Sequence, residues 1–276
     1  MNKYVNDENW IEQIVRLIVD DIEDKGDIYK INPSNQDEAS IMILAWAPWS
    51  GKTEFIISVL PILDFFFIDT DSYRNYFIGY NGKNAGNYQH AISKVLDWVL
   101  KYCFKNDIRF ILDGTFKSLP HAIRNVDNAK RKKRKIEIYY IFQNPYLSFL
   151  YTYLRQIQNE RNISIDWFIE CFYESIRNIY LMKQKYDSID LLICEKIVTL
   201  PWLFWKKDYK AYHDIENIEK FCFQYNIGYN DWEFTNRSNL KFWIDDFRKL
   251  LRLCYPVIVC TWLIKKIIWQ IKLKKY

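Results

Sequence analysis

The stretch that most constrains this chain is Ile41-Met-Ile-Leu-Ala-Trp46-Ala-Pro48-Trp49-Ser50-Gly51-Lys52-Thr53. Its apolar run is long enough for a strand buried on both faces and too short for a core helix. It leads into a turn ending Ser-Gly-Lys-Thr, and Glu54–Leu60 then reads as a helix. Strand, turn and helix closing on Gly-Lys-Thr form the second half of the phosphate-binding pattern G-x-x-x-x-G-K-[ST]. In such a turn the backbone N–H groups curl around phosphate oxygens, and the next helix points its positive N-terminus at them. Lys52 would reach the terminal phosphates and the Thr53 hydroxyl would ligate Mg²⁺. Pro48, Trp49, Ser50 and Gly51 complete the nucleotide loop. The first glycine of the pattern falls on Trp46, where a tight turn beside a phosphate usually asks for no side chain. On this pattern alone, a plain strand–turn–helix with a surface lysine stays open.

The rest of the chain repeats that alternation. Candidate strands are Ile41–Ala45, Phe65–Ile68, Arg109–Leu112, Ile136–Phe142 and Ile189–Ile193. Candidate helices are Asn9–Asp24, with Trp10, Ile14, Leu17, Ile18 and Ile22 at helical spacing, then His90–Cys103, Pro145–Gln158 and Asp166–Tyr186. Gly26 is placed to end the first of these, and Pro33–Glu38 reads as a loop. Short apolar strands alternating with helices predict an α/β domain with a doubly wound, mostly parallel sheet. Ligands of such sheets sit beyond the carboxyl ends of the strands.

Two carboxylate motifs lie there. Phe65–Ile68 is followed by Asp69-Thr-Asp71-Ser-Tyr-Arg74, and Arg109–Leu112 by Asp113-Gly-Thr115-Phe-Lys117. One acid can hold Mg²⁺ and another can accept a proton from a substrate hydroxyl. A strand-end aspartate is also a common helix cap.

Composition excludes some classes. Half of the 276 residues are hydrophobic and 18% are aromatic, so the chain can bury a sizeable core and is not disordered in bulk. The net charge of +5 is mild. Lys130-Arg-Lys-Lys-Arg-Lys135 fits the solvated end of a helix before a strand, and also a patch for nucleic acid or acidic lipid. No nucleic-acid partner is expected. The six cysteines are scattered without a C-x-x-C pair, and Met1–Trp10 is polar. A cytoplasmic protein with reduced thiols is expected. The three histidines stand alone, without metal-ligand spacing.

With these residues in place, the chain resembles the zeta toxin family of P-loop kinases. The family's phosphate loop corresponds to Trp46–Thr53, and its Ile-Asp-x-Asp-x-Phe-Arg to Ile68-Asp69-Thr70-Asp71-Ser72-Tyr73-Arg74. Its Glu-Gly-Thr-x-Arg corresponds to Asp113-Gly114-Thr115-Phe116-Lys117, and its two later arginines to Arg155 and Arg161. The likeness spans about residues 5–195. It implies an ATP- or GTP-dependent kinase, using Mg²⁺, that phosphorylates a sugar hydroxyl of UDP-N-acetylglucosamine and is held by a small helical antitoxin. By the same resemblance Asp71 is the base, and Lys52 and Thr53 hold phosphate and metal. Arg155 and Arg161 neutralise the transferring group. Asp113, Thr115 and Lys117 line the sugar side, with Asp69 and Arg74 beside them. The departures are Trp46 and Trp49 for loop glycines, Tyr76-Phe77 where the family has His-Pro, Asp113 for Glu and Lys117 for Arg. Trp46 and Trp49 could stack on the nucleotide or fill the core.

Expected domains are an N-terminal helical arm (1–37), the kinase domain (38–200) and a helical C-terminal extension (201–276). In the last, Leu240–Cys254 reads as a helix. Val259–Tyr276 mixes apolar and lysine positions, which suits packing on its own domain or lying on an acidic membrane surface. Pro256–Ile264 is far shorter than the ~20 residues that span a bilayer. Two rivals stand beside the kinase of UDP-amino sugars. One is the same core acting on a nucleoside, an antibiotic or another sugar nucleotide. The other is a non-catalytic P-loop domain that only binds.

Overall fold

The computed structural model describes residues 7–30, 40–46, 50, 52, 55–56, 64–145, 148–149, 151–153, 164–198, 207–212, 241 and 244–245. Its first helix, α1 (Glu8–Asp24), starts where the Asp7 carboxylate accepts from the backbone N–H groups of Asn9 and Trp10. Such a cap is worth about 1 kcal/mol. Ile11, Ile14, Val15, Ile18 and Ile22 form its buried stripe, while Leu17, expected on that stripe, is 54% exposed. The helix stops at Lys25, and Gly26–Tyr29 continues as a short 3₁₀ turn.

Five parallel strands follow: β1 (Ser40–Trp46), β2 (Phe66–Ile68), β3 (Phe110–Gly114), β4 (Lys135–Phe142) and β5 (Ile189–Val198). A sixth, β6 (Lys207–Tyr212), runs antiparallel to β5. The order across the sheet is β2-β3-β1-β4-β5-β6. Crossovers carry α2 (Gln89–Lys105) between β2 and β3, α3 (Leu119–Arg131) between β3 and β4, and α4 (Ile165–Lys185) between β4 and β5. The sheet is thus parallel and α/β as expected, and β1 sits at its centre. Ile41 to Ala45 are all buried, which is why that strand reads as one unbroken apolar run.

The structure adjusts several boundaries. β3 runs two residues past Leu112, because Asp113 and Gly114 stay in register with Leu44 and Ala45 of β1. Asp113 is therefore held inside the ladder rather than in the turn after it. β5 likewise extends to Val198. Lys207–Tyr212 was not among the expected strands. It pairs antiparallel with β5, Lys207 opposite Val198 and Tyr212 opposite Ile193.

The basic run also resolves. Lys130 to Lys133 are exposed at the end of α3, but Arg134 is buried. Its guanidinium donates to the carbonyls of Ile108 (2.6 Å) and Cys103 (3.2 Å) and lies over the rings of Phe104 and Phe110. One cation of the run thus staples α2 to β3.

The chain divides into two compact units, residues 1–228 and 229–276. In the second, Lys241, Ile244 and Asp245 are helical, and the rest of the helix expected over 240–254 lies outside the described residues. Val259–Tyr276 lies outside the described residues. Among those described, no helix is long and apolar enough to cross a membrane.

Candidate active site

β1, β2 and β3 end side by side, Ile68 opposite Leu112 and Leu44 opposite Asp113. The residues that follow them emerge at one edge of the sheet. Lys52 is helical, and its ammonium forms an ion pair with Asp113 while lying 4.0 Å from the centre of the Trp46 ring. The tryptophan at the first-glycine position therefore faces the loop lysine in a cation–π contact.

Asp113 is only 3% exposed. Burial pushes its carboxyl up to about 8. Lys52 pulls it back down, and the nearby Asp69 and Asp71 add to the rise. Loss of hydration outweighs the single cation here, as it does for many buried pairs. The second oxygen, Oδ1, is buried with no hydrogen-bond partner, as is the Ser50 hydroxyl. A Cβ added at Gly114 would meet nothing within 4 Å, so open space adjoins this edge.

The aspartate motif is built differently from the loop. Asp69 accepts from the Asp71 backbone N–H (3.0 Å) and so caps the helical turn Thr70–Tyr73. Asp71 pairs with Arg74 through Oδ1. Arg74 is 7% exposed and also donates to Gln89 Oε1 (2.9 Å) and the Thr70 carbonyl (3.5 Å). A buried, oriented guanidinium thus holds Asp71, whose side chain is 47% exposed.

The third segment, Thr115–Lys117, bends sharply. Phe116 adopts φ 57°, a left-handed conformation that costs a non-glycine residue about 1–2 kcal/mol. Buried Asn178 of α4 offsets this by donating from one amide nitrogen to the carbonyls of Phe116 (2.9 Å) and Lys117 (2.8 Å). The Lys117 N–H lies 3.4 Å from Thr115 Oγ1. Its ammonium pairs with Glu170 (2.9 Å) and sits 5.8 Å from the Trp167 ring centre. Sequence reasoning did not find Asn178. Its signal is a polar residue on the mostly apolar buried face of α4, which also carries Ser175. Gln143, just past β4, was missed too: it is fully buried and neither amide atom has a partner.

The structure thus brings Ser50, Lys52, Asp69, Asp71, Arg74, Asp113, Thr115 and Lys117 to the strand ends. Pro48, Trp49, Gly51, Thr53, Arg155 and Arg161 lie outside the described residues. Among the described residues no three acids, cysteines or histidines form a metal cluster.

The family model for zeta toxin matches residues 23–200, more than half of the chain. The chain belongs to the zeta toxin family. No curated protein matches it in sequence. Among solved structures, this zeta toxin is similar to a chain of the PezAT chromosomal toxin–antitoxin system of Streptococcus pneumoniae. They are 13% identical with a TM-score of 0.59, over 87% of this chain and 96% of that one. The AvrRxo1-ORF1:-ORF2 complex with ATP is 12% identical with a TM-score of 0.53, over 77% and 68%. At such identities the likeness is one of fold, and the fold is that of a P-loop kinase.

Proposed function

We propose that this zeta toxin is a kinase that moves the terminal phosphate of ATP or GTP to a hydroxyl of a UDP-amino sugar, with UDP-N-acetylglucosamine as first candidate. The observation that carries the reading is the convergence of a helical Lys52 with Asp71 and Asp113 at adjacent strand ends. Phosphoryl transfer asks chiefly for position and positive charge.

Each residue then has a task. Lys52 leaves Asp113 to grip the nucleotide's terminal phosphates. The acceptor hydroxyl attacks the terminal phosphorus, the bond from phosphorus to the bridging oxygen breaks, and the nucleoside diphosphate leaves. Asp71 takes the hydroxyl proton, with Arg74 fixing the carboxylate's direction. Asp113, once Lys52 departs, offers the acceptor a buried carboxyl, and Thr115 and Lys117 face the same molecule. Arg155 and Arg161 balance charge on the transferring group. The Ser50 hydroxyl, buried without a partner, fits a phosphate oxygen. Mg²⁺ would supply charge neutralisation and be held by Thr53. The lack of a carboxylate cage among the described residues suits an ion that takes most of its ligands from phosphates and water. The proposed setting is the cytoplasm, with a small helical antitoxin as partner, by analogy with the PezAT system.

The rival reading is binding without catalysis, favoured by the Trp46 ring on Lys52. The test is incubation with Mg²⁺, ATP or GTP and a panel of UDP-sugars, nucleosides and aminoglycosides, read by mass spectrometry. One phosphate gained by UDP-N-acetylglucosamine supports the proposal. A gain on a nucleoside or antibiotic alone rejects the substrate. No gain on any compound, with nucleotide bound, favours the rival.

A further inference from the structure

The residues around the Thr115–Lys117 bend form a gradient of exposure. Asp113 is 3% exposed, the Lys117 side chain 30% and Trp167 40%. Trp167 stands in the first turn of α4, where its backbone N–H is capped by the Ser164 hydroxyl (3.2 Å). An indole this exposed contributes little to the core. The Lys117 ammonium lies 5.8 Å from its ring centre and 2.9 Å from Glu170. A helix thus presents a flat aromatic face beside a cation, and that cation follows the buried Asp113 by four residues of the same segment.

We infer that Trp167 is a specificity-determining residue for the acceptor, stacking on the planar base of a nucleoside diphosphate sugar whose diphosphate is met by Lys117. The inference rests on the kinase reading above. In such an acceptor the diphosphate separates the reacting sugar from the base. Transfer must occur away from bulk water, so the sugar belongs at the buried end. The diphosphate then falls at the half-exposed lysine and the base at the exposed indole. An ammonium has three donors, so Lys117 keeps Glu170 while it reaches a phosphate oxygen. Stacking of a base on an aromatic side chain tolerates any base, because each has a π face. The platform therefore selects for the presence of a base and not for its identity.

The experiment compares the wild type with Trp167→Ala and Trp167→Phe, using UDP-N-acetylglucosamine and the base-free N-acetylglucosamine 1-phosphate as acceptors. Trp167→Ala should raise KM for the UDP-sugar about ten-fold, with a much smaller change for the base-free sugar phosphate and for ATP. Trp167→Phe should restore most of the loss. Equal effects on both acceptors, or no effect on either, overturn the inference. Calorimetric titration of UDP and of uridine separates this result from failure of the kinase reading. If no phosphate is transferred but UDP binds the wild type about ten-fold tighter than Trp167→Ala, the platform stands and the reaction falls. If the wild type binds neither UDP nor UDP-N-acetylglucosamine, the platform is overturned as well.

Discussion

Replacing Lys52 by methionine keeps the length of the side chain and removes its charge, so Asp113 loses its cation. The effect on stability should depend on pH in a defined way. Burial raises the native Asp113 carboxyl from 3.8 to about 8. A raised acid costs stability as pH climbs above its unfolded value, and the cost levels off above its folded value. In the wild type the cost therefore grows through pH 4–8 and then flattens, because Lys52 stabilises the ionised form. Without Lys52 the carboxyl holds its proton to higher pH, and the cost keeps growing. The two proteins should differ little near pH 6. Above pH 8 the gap should open by about 1.4 kcal/mol per pH unit. Its ceiling is the pair's Coulomb energy, about 4 kcal/mol at an effective dielectric constant of 20. Urea unfolding followed by tryptophan fluorescence, at about pH 6, 8 and 9.5, measures the gap. Lys52→Met combined with Asp113→Asn should remove its pH dependence while leaving phosphoryl transfer abolished. A gap of the same size at every pH would refute the reasoning, because Asp113 would then not be a buried carboxyl that depends on Lys52.

Four further substitutions probe the proposed reaction. Asp71→Asn should lower turnover by about 10²–10⁴, the usual worth of a general base, with nucleotide affinity retained; turnover near wild type would move the base to Asp69 or Asp113. Arg155→Ala and Arg161→Ala should each lower kcat by about 10²–10³ and change nucleotide Kd much less, as single-turnover and binding measurements on the same preparations would reveal. Asn178→Ala removes the donor to two carbonyls and should cost about 1–3 kcal/mol, read as a lower Tm, and raise KM for the acceptor more than for ATP; an unchanged acceptor KM would make Asn178 a purely structural clamp.

Much of this arrangement is legible in the residues themselves. Ile41–Ala45 is buried on both faces, so its apolar run had no polar residue to confuse its reading. The α1 stripe was legible from its helical spacing, which found Ile14, Ile18 and Ile22 but passed over Ile11 and Val15 and included the exposed Leu17. The Asp113 motif was found but placed outside its strand, because ladder pairing with Leu44 and Ala45 is a property of the neighbour and not of Asp113-Gly114. The strand order had no local signature. β6 was missed because an outer strand needs only one apolar face, and its Lys-Asp-Tyr-Lys-Ala-Tyr pattern resembles a loop. Of the site, the residues with charges on strand ends were visible. Asn178 and Trp167 were not, since their roles depend on where α4 lies against the Thr115–Lys117 bend.

Among the described residues β2 and β6 border the sheet, and this has a consequence for how the protein meets others. β2 spans three residues, and β6 carries Lys207, Asp208 and Lys210 within its six. Short or charged borders are poor templates for an incoming strand. Lateral growth into larger β-assemblies is therefore discouraged at these two borders. A binding protein has little backbone to borrow there, so it must recognise side-chain chemistry instead.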